Sequence, residues 1–273
     1  MITIQSYNRP DSSIFSKIKQ PYEVWVNNDQ VDQYKNLPSN ATVIGTKIPV
    51  EVEMLKTGLA YTRNKCIEKH KGKIVWLLDD DISHFINNAK EIVPLEDGLM
   101  QAEEYFVNQN KNFGMMGFID KAFVVFGNNS HGNAVTSKQV VLCNTKVWPD
   151  KVNYEYNIKL YEDGDIVFQL LQNNIDSISY KGLAHIKEKV KSVLTPDGKE
   201  AAKNYRLMLF KNQYQKWGNI LKFKESKQWW IDLNITHRSI KPKFTGFFKP
   251  IINNDVLQAF EDKDIPKIIA LTN

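Results

Sequence analysis

Residues 73–82 read Lys73-Ile74-Val75-Trp76-Leu77-Leu78-Asp79-Asp80-Asp81-Ile82, an unbroken apolar run driven into three consecutive carboxylates. A stretch that is apolar at every position, not at alternate ones, predicts a strand buried on both faces, as in a parallel sheet covered by helices on each side. The aspartates then fall at the carboxyl end of that strand, where ligands of open α/β sheets bind. Adjacent carboxylates repel each other, and their charge is tolerable only beside a cation, hydrogen-bond donors or water. In an extended chain Asp79 and Asp81 share a direction, which suits a divalent ion held by one or two carboxylates plus substrate phosphates. Taken alone, the triplet is also compatible with a solvated acidic turn.

Working outward, short strands are expected at Met1–Ser6, Tyr22–Val26 and Ala41–Gly45, with helical stretches at Ser12–Lys19, Val31–Tyr34 and Gly58–His70. Pro10 stops the first strand, and Gly72 ends the third helix. Strand–helix–strand order predicts right-handed βαβ units and an α/β sheet. Beyond Ile82 the pattern gives a helix over Leu95–Asn110, strands at Gly114–Phe118, Ala122–Phe126 and Gln139–Asn144, and a helix over Asp163–Asn173. A short strand at Ile178–Tyr180 ends near Ala184-His185-Ile186, and a long amphipathic helix covers Lys199–Trp217. The tail beyond Ile220 gives no clear pattern. The expected division is a catalytic domain over residues 1–195 and a mostly helical, basic, aromatic-rich extension over 196–273 packed on it.

The chain has 273 residues, 42% hydrophobic and 25% charged, which excludes a disordered or collagen-like polymer. No apolar run approaches the roughly 20 residues needed to cross a bilayer, and Met1-Ile2-Thr3-Ile4 has no signal-peptide pattern. No membrane insertion is expected. Cys66 and Cys143 alone make neither a disulfide framework nor a cysteine zinc site, so a cytoplasmic location is expected, the host cytoplasm if the chain is phage-encoded. Dinucleotide, P-loop and nucleophile-elbow motifs are absent.

Charge is unevenly spread. Residues 1–180 carry 18 Lys and Arg against 22 Asp and Glu, net −4, whereas residues 181–273 carry 18 against 9, net +9. The basic stretch interleaves with Tyr205, Phe210, Tyr214, Trp217, Phe223, Trp229, Trp230, Phe244, Phe247 and Phe248. Such a pattern either tracks a phosphate backbone while stacking bases, or is a lysine-rich surface over an aromatic core. With only four arginines in the chain, base-edge readout has little support.

A second acidic group, Tyr161-Glu162-Asp163-Gly164-Asp165-Ile166, opens a helix. Carboxylates there are favoured by the helix dipole and by capping, and are equally placed to accept a proton. His185 follows a strand and is either a satisfied structural histidine or a metal ligand.

In this order the features resemble the GT-A nucleotide-sugar-dependent glycosyltransferases, over roughly residues 1–190. Asp79-Asp80-Asp81 matches their DxD motif, Ser6-Tyr7-Asn8-Arg9-Pro10 their nucleoside loop, and Gly58-Leu59-Ala60-Tyr61-Thr62-Arg63-Asn64 the helix preceding DxD. Glu162-Asp163 matches the acidic pair that opens a later helix, and His185 the histidine after the next strand. The resemblance implies a GT-A, Rossmann-like mixed sheet flanked by helices and a nucleoside-diphosphate sugar donor. It implies donor binding by Ser6, Tyr7, Asn8, Arg9, Arg63, Asn64, Asp79 and Asp80. A divalent ion, Mn2+ or Mg2+, would be held by Asp81, Asp79 and His185, and the acceptor base would be Asp163, with Glu162 or Asp165 next in line. Gly127-Asn128-Asn129 resembles phage-type glycosyltransferases associated with hydroxymethylated pyrimidines in DNA. That implies a DNA acceptor, held through Lys241, Lys243 and the neighbouring aromatics. A polysaccharide or protein acceptor, and outside the transferases a metal-dependent nuclease or phosphodiesterase, are the alternatives.

Overall fold

The computed structural model describes residues 1–54, 58–109, 113–119, 132–133, 139–156, 162–188, 199–228, 231–236 and 250–273. Strands β1 (Ile2–Gln5), β2 (Tyr22–Asn27), β3 (Ala41–Thr46) and β4 (Ile74–Asp79) lie parallel in the order β3-β2-β1-β4. Helices α1 (Val50–Met54) and α2 (Gly58–Lys69) carry the chain from β3 to β4. Strands β5 (Ile82–Asn87) and β6 (Ile92–Val93) follow, then helix α3 (Leu95–Val107), strands β7 (Met115–Ile119), β8 (Gly132–Asn133) and β9 (Val140–Asn144), helix α4 (Glu162–Gln172) and strand β10 (Ser177–Lys187). Past β4 the sheet continues β9-β7-β10-β5-β6, with β8 against β10, so the described residues form one mixed ten-stranded sheet. Strand β9 is antiparallel to both β4 and β7, which turns the parallel half into a mixed one.

The apolar run at residues 74–78 is explained by two-sided burial. Val75 and Leu77 enter one hydrophobic cluster with α2, α4 and the C-terminal helices. Trp76 and Leu78, pointing oppositely by the two-residue strand period, enter a second cluster with α3. Helix α3 lies close to β5, because a Cβ at Gly98 would fall 2.2 Å from the Phe85 ring. The α/β architecture is the one expected.

Two expected helices are short 3-10 segments instead, Ser13–Ser16 and Asn28–Tyr34. Strand β5 was not legible, and β10, expected as a short strand at Ile178–Tyr180, runs the full length of Ser177–Lys187. Both carry polar residues at half-exposed positions, Ser83 and His84 in one, Lys181 and His185 in the other, which hides their pattern. The expected strand at Ala122–Phe126 lies outside the described residues, as do Gly127-Asn128-Asn129, Trp229, Trp230 and the segment holding Lys241, Lys243, Phe244, Phe247 and Phe248.

The C-terminal region is helical as expected, with α5 (Lys199–Trp217), α6 (Asn254–Glu261) and α7 (Ile265–Thr272), and adds a hairpin, β11 (Lys222–Gln228) and β12 (Ile231–Thr236). Phe210, Tyr214, Trp217 and Phe223 are buried in the same cluster as Val75 and Leu77. This corrects the base-stacking alternative for these four rings: burial leaves them no face for a nucleotide. No helix among the described residues is long and apolar enough to cross a membrane.

Candidate active site

Strand β4 ends at Asp79, Asp80 and Asp81 make the turn, and β5 begins at Ile82. Each aspartate meets a different cation. Arg9 reaches Asp80 Oδ1 at 2.6 Å, Arg63 reaches Asp79 Oδ1 at 3.2 Å, and Lys187 reaches Asp81 Oδ2 at 2.6 Å. This is how three neighbouring carboxylates coexist in a largely buried turn: separate counter-ions offset their repulsion.

Asp80 faces the loop after β1. Ser6 Oγ donates to Asp80 Oδ2 at 2.7 Å and contacts Tyr34 Oη at 2.7 Å, while Ser12 Oγ donates to the Asp80 carbonyl. Burial raises the Asp80 carboxyl, with Ser6 and Arg9 pulling the other way. Tyr34 Oη also accepts from the Arg9 N–H at 2.9 Å, and Asn8, left-handed at φ 53°, donates its N–H to Gln30 Oε1 at 3.1 Å. Asparagine tolerates that backbone region better than most residues. Tyr7 stands exposed at the rim. The loop Ser6–Arg9 is therefore fixed against Asp80 from below, with Tyr7 open above it.

Arg63, on α2, is the hinge of the arrangement. Its Nη1 donates to Asp163 Oδ1 at 2.9 Å and lies 3.9 Å from Glu162 Oε1, while Nη2 holds Asp79. Its guanidinium sits 5.4 Å from the Tyr154 ring centroid. Burial opposes the charge, but Asp163, Asp79 and Glu162 outweigh it and push the Arg63 pKa further up. Arginine suits this position because its planar fork serves two carboxylates at once and stays charged when buried. Expected among the donor contacts, Arg63 instead turns inward and is 1% exposed. Asn64 likewise faces the protein: its amide donates to the Tyr154 carbonyl at 2.8 Å and accepts from the Tyr154 N–H at 2.7 Å. Asn64 thus sets the segment that packs on Arg63.

Asp163 and Glu162 open α4 as expected. Asp163 is buried, and Glu162 Oε2 is buried without a hydrogen-bond partner. Asp165 belongs to the packing. Its Oδ1 receives Lys216 Nζ at 2.7 Å and Trp217 Nε1 at 2.7 Å, its Oδ2 receives Gln169 at 2.6 Å, and it is fully buried. With every oxygen engaged it is no alternative base.

Asp79 is pushed up to about 6, chiefly by burial and also by Asp81, against the pull of Arg63 and Lys187. Asp81 has Oδ1 buried and without a hydrogen-bond partner. His185 Nε2 pairs with Gln139 Oε1 at 2.8 Å, and the Gln139 carbonyl accepts from the Asp79 N–H at 2.9 Å, so His185 lies beside the end of β4. Among the described residues, no group of three His, Cys, Asp or Glu converges to hold an ion unaided. The free Oδ1 of Asp81 and the elevated Asp79 fit an ion that one or two carboxylates share with substrate phosphates. Lys187, Tyr34, Ser12 and Gln139 escaped the sequence reading; only Lys187 left a signal, standing two residues from His185 on the same side of a strand.

A family model described as TET-Associated Glycosyltransferase matches residues 7–194. A comparison with curated proteins found no match. Among solved structures, S. aureus TarS 1-349 is similar over 67% of this chain and 58% of its own, at 14% identity and a TM-score of 0.44. S. aureus TarS is similar over 99% of this chain and 54% of its own, at 12% identity and a TM-score of 0.49. The Mycobacterium tuberculosis glucosyl-3-phosphoglycerate synthase complex with Mn2+, UDP and glucosyl-3-phosphoglycerate is similar over 86% of this chain and 85% of its own, at 9% identity and a TM-score of 0.46. The chain spans little more than half the length of either TarS structure.

Proposed function

The chain belongs to the TET-associated glycosyltransferase family, with the mixed sheet of the GT-A class, and on that footing we propose that it transfers a sugar from a nucleoside-diphosphate sugar to an acceptor hydroxyl. The observation that carries this reading is Arg63, which ties the carboxylate ending β4 to the pair opening α4 and so makes one site of two distant sequence motifs. The loop Ser6–Arg9 and Asp80 would take the nucleoside side of the donor, and Asp79 and Asp81 would face its diphosphate.

The acceptor oxygen attacks the anomeric carbon as the bond from that carbon to the diphosphate breaks. The electron pair leaves with the diphosphate, and the hydroxyl proton passes to a carboxylate. Asp163 is the proposed base. Its ion pair with the buried Arg63 guanidinium favours the carboxylate, the form that accepts a proton. Arg63 orients this carboxylate through its Oδ1. Asp81 and Asp79, with His185 alongside, would hold a divalent ion, Mn2+ or Mg2+, whose chemistry is to stabilise negative charge growing on the departing phosphates.

For the acceptor, the reading is a hydroxymethylated pyrimidine in DNA. The net +9 of residues 181–273 supports it, since counterion release favours DNA on so basic a segment. The test is a donor panel with Mn2+, UDP-sugars first, scored for released nucleoside diphosphate with unmodified and hydroxymethylated duplexes. Release stimulated only by the modified duplex is expected. Release stimulated by a glycan or protein instead moves the acceptor, and no release with any donor overturns the reading.

A further inference from the structure

The pairing of Lys187 with Asp81 has no place in the reaction as described, and its geometry is informative. Lys187 Nζ lies 2.6 Å from Asp81 Oδ2, where a phosphate-bound cation would otherwise supply positive charge. The two partners differ in their surroundings: the Asp81 side chain is 7% exposed, that of Lys187 35%. The carboxylate is fixed, and the ammonium reaches it from the solvent side on a flexible stem. Two features direct it there. The β10–β5 pairing slips between Ile186–His84 and Lys187–Ile82, leaving Ser83 as the extra residue, and such irregularities re-aim side chains beside sites. The next residue, Glu188, donates its N–H to the Asp81 carbonyl at 2.8 Å, so the backbone at Lys187 is anchored while its side chain can swing.

The pairing is also incomplete, because Asp81 Oδ1 is buried with no hydrogen-bond partner. A buried acceptor left unpaired is costly, which marks the present arrangement as one half of a pair of states. A divalent ion taking Asp81 would repel the ammonium beside it, and the strongest anion then within its neighbourhood is the diphosphate. We propose that Lys187 is a phosphate-binding residue held on Asp81 until the donor arrives, and that it then moves to the leaving diphosphate. The site keeps its charge balanced in both states. In the free protein the lysine serves Asp81, and in the loaded one it serves the phosphates. This inference rests on the proposed donor site and adds a residue to it.

Titration of the full chain with Mn2+ alone, and with UDP in the presence of Mn2+, separates the possibilities for Lys187→Gln, Lys187→Met and Lys187→Arg. Removing the charge should weaken UDP about tenfold, the scale of one charge-assisted hydrogen bond, and should tighten Mn2+ alone because Asp81 is released. Lys187→Arg should stay near wild type for UDP. Lys187→Met keeps the packing of the stem and duplicates the result if the Gln variant folds poorly. Wild-type UDP affinity in both neutral variants overturns the proposal, as does a parallel loss of Mn2+ and UDP, which would make Lys187 a brace for Asp81. If the wild type itself fails to bind UDP with Mn2+, the donor reading falls together with this one; a wild type that binds beside unaffected variants removes this one alone.

Discussion

At the scale of single residues, the site is a problem of charge placed out of water. Asp79 states it most plainly, since its carboxyl is pushed up to about 6, mainly by burial. The sign follows from linkage. The folded state binds the Asp79 proton more tightly than the unfolded chain does, so stability falls as pH rises from about 4 to about 6 and is flat above. Asp79→Asn, which still accepts from Arg63, should therefore stabilise the protein at pH 7 by about 2–3 kcal/mol and make little difference at pH 4. Urea unfolding at both pH values measures it; an equal effect at the two would show that Asp79 is ionised throughout. Asp163 carries the complementary prediction. Asp163→Asn keeps the partner of Arg63 but takes no proton, so turnover should drop on the order of 10²-fold or more with donor affinity near wild type. A variant that turns over normally in a steady-state assay would leave Glu162 as the base. Of these residues, the aspartate triplet, the Glu162-Asp163 pair and the loop Ser6–Arg9 were legible because each is contiguous in sequence. Their connection was not. Arg63 looks like a donor contact until its burial among carboxylates is seen, and Tyr34, far from Ser6 in sequence, gives no local sign of meeting it.

Elements were legible where burial is uniform and obscure where it is mixed. The run at β4 has a partner on each face and declares itself, and α4 shows its apolar face in Ile166, Val167, Leu170 and Leu171. Strand β5 mixes buried Ile82 and Phe85 with half-exposed Ser83 and His84, which hides its period, and in sequence Lys222, Lys224 and Lys227 of the hairpin read as a basic tail. A buried polar link between elements is likewise invisible in sequence: α5 is clamped to the first turn of α4 through Asp165, Lys216 and Trp217. Burial raises the Asp165 carboxyl and Lys216 opposes it, as expected of a buried acid held charged by its partner. Lys216→Met should destabilise by about 2–4 kcal/mol, because removing one partner strands the other. Adding Asp165→Asn, which can still accept from Trp217, should recover most of that loss. A double variant no better than the single, by urea unfolding, would show that the pair itself contributes little.

Across the whole molecule, the family match ends at residue 194, yet the packing continues past it. Phe210, Tyr214, Trp217, Phe223, Val256 and Phe260 share one cluster with Val75, Leu77 and Val141 of the sheet. Truncation after residue 195 should therefore expose this apolar face and remove cooperative unfolding; a sharp near-UV transition in the truncated chain would show that the sheet stands alone. The composition hinted at a packed tail through its aromatics, but charge dominated the reading, since residues 181–273 hold 18 Lys and Arg against 9 Asp and Glu. The central claim is that the carboxylates ending β4 bind the donor's diphosphate with a divalent ion while the pair opening α4 acts on the acceptor. Isothermal titration of UDP in the presence of Mn2+ into wild type, Asp81→Ala and Asp163→Asn tests it most directly. The account predicts binding by wild type and Asp163→Asn with similar affinity, and none detectable by Asp81→Ala. Equal binding by all three would contradict it.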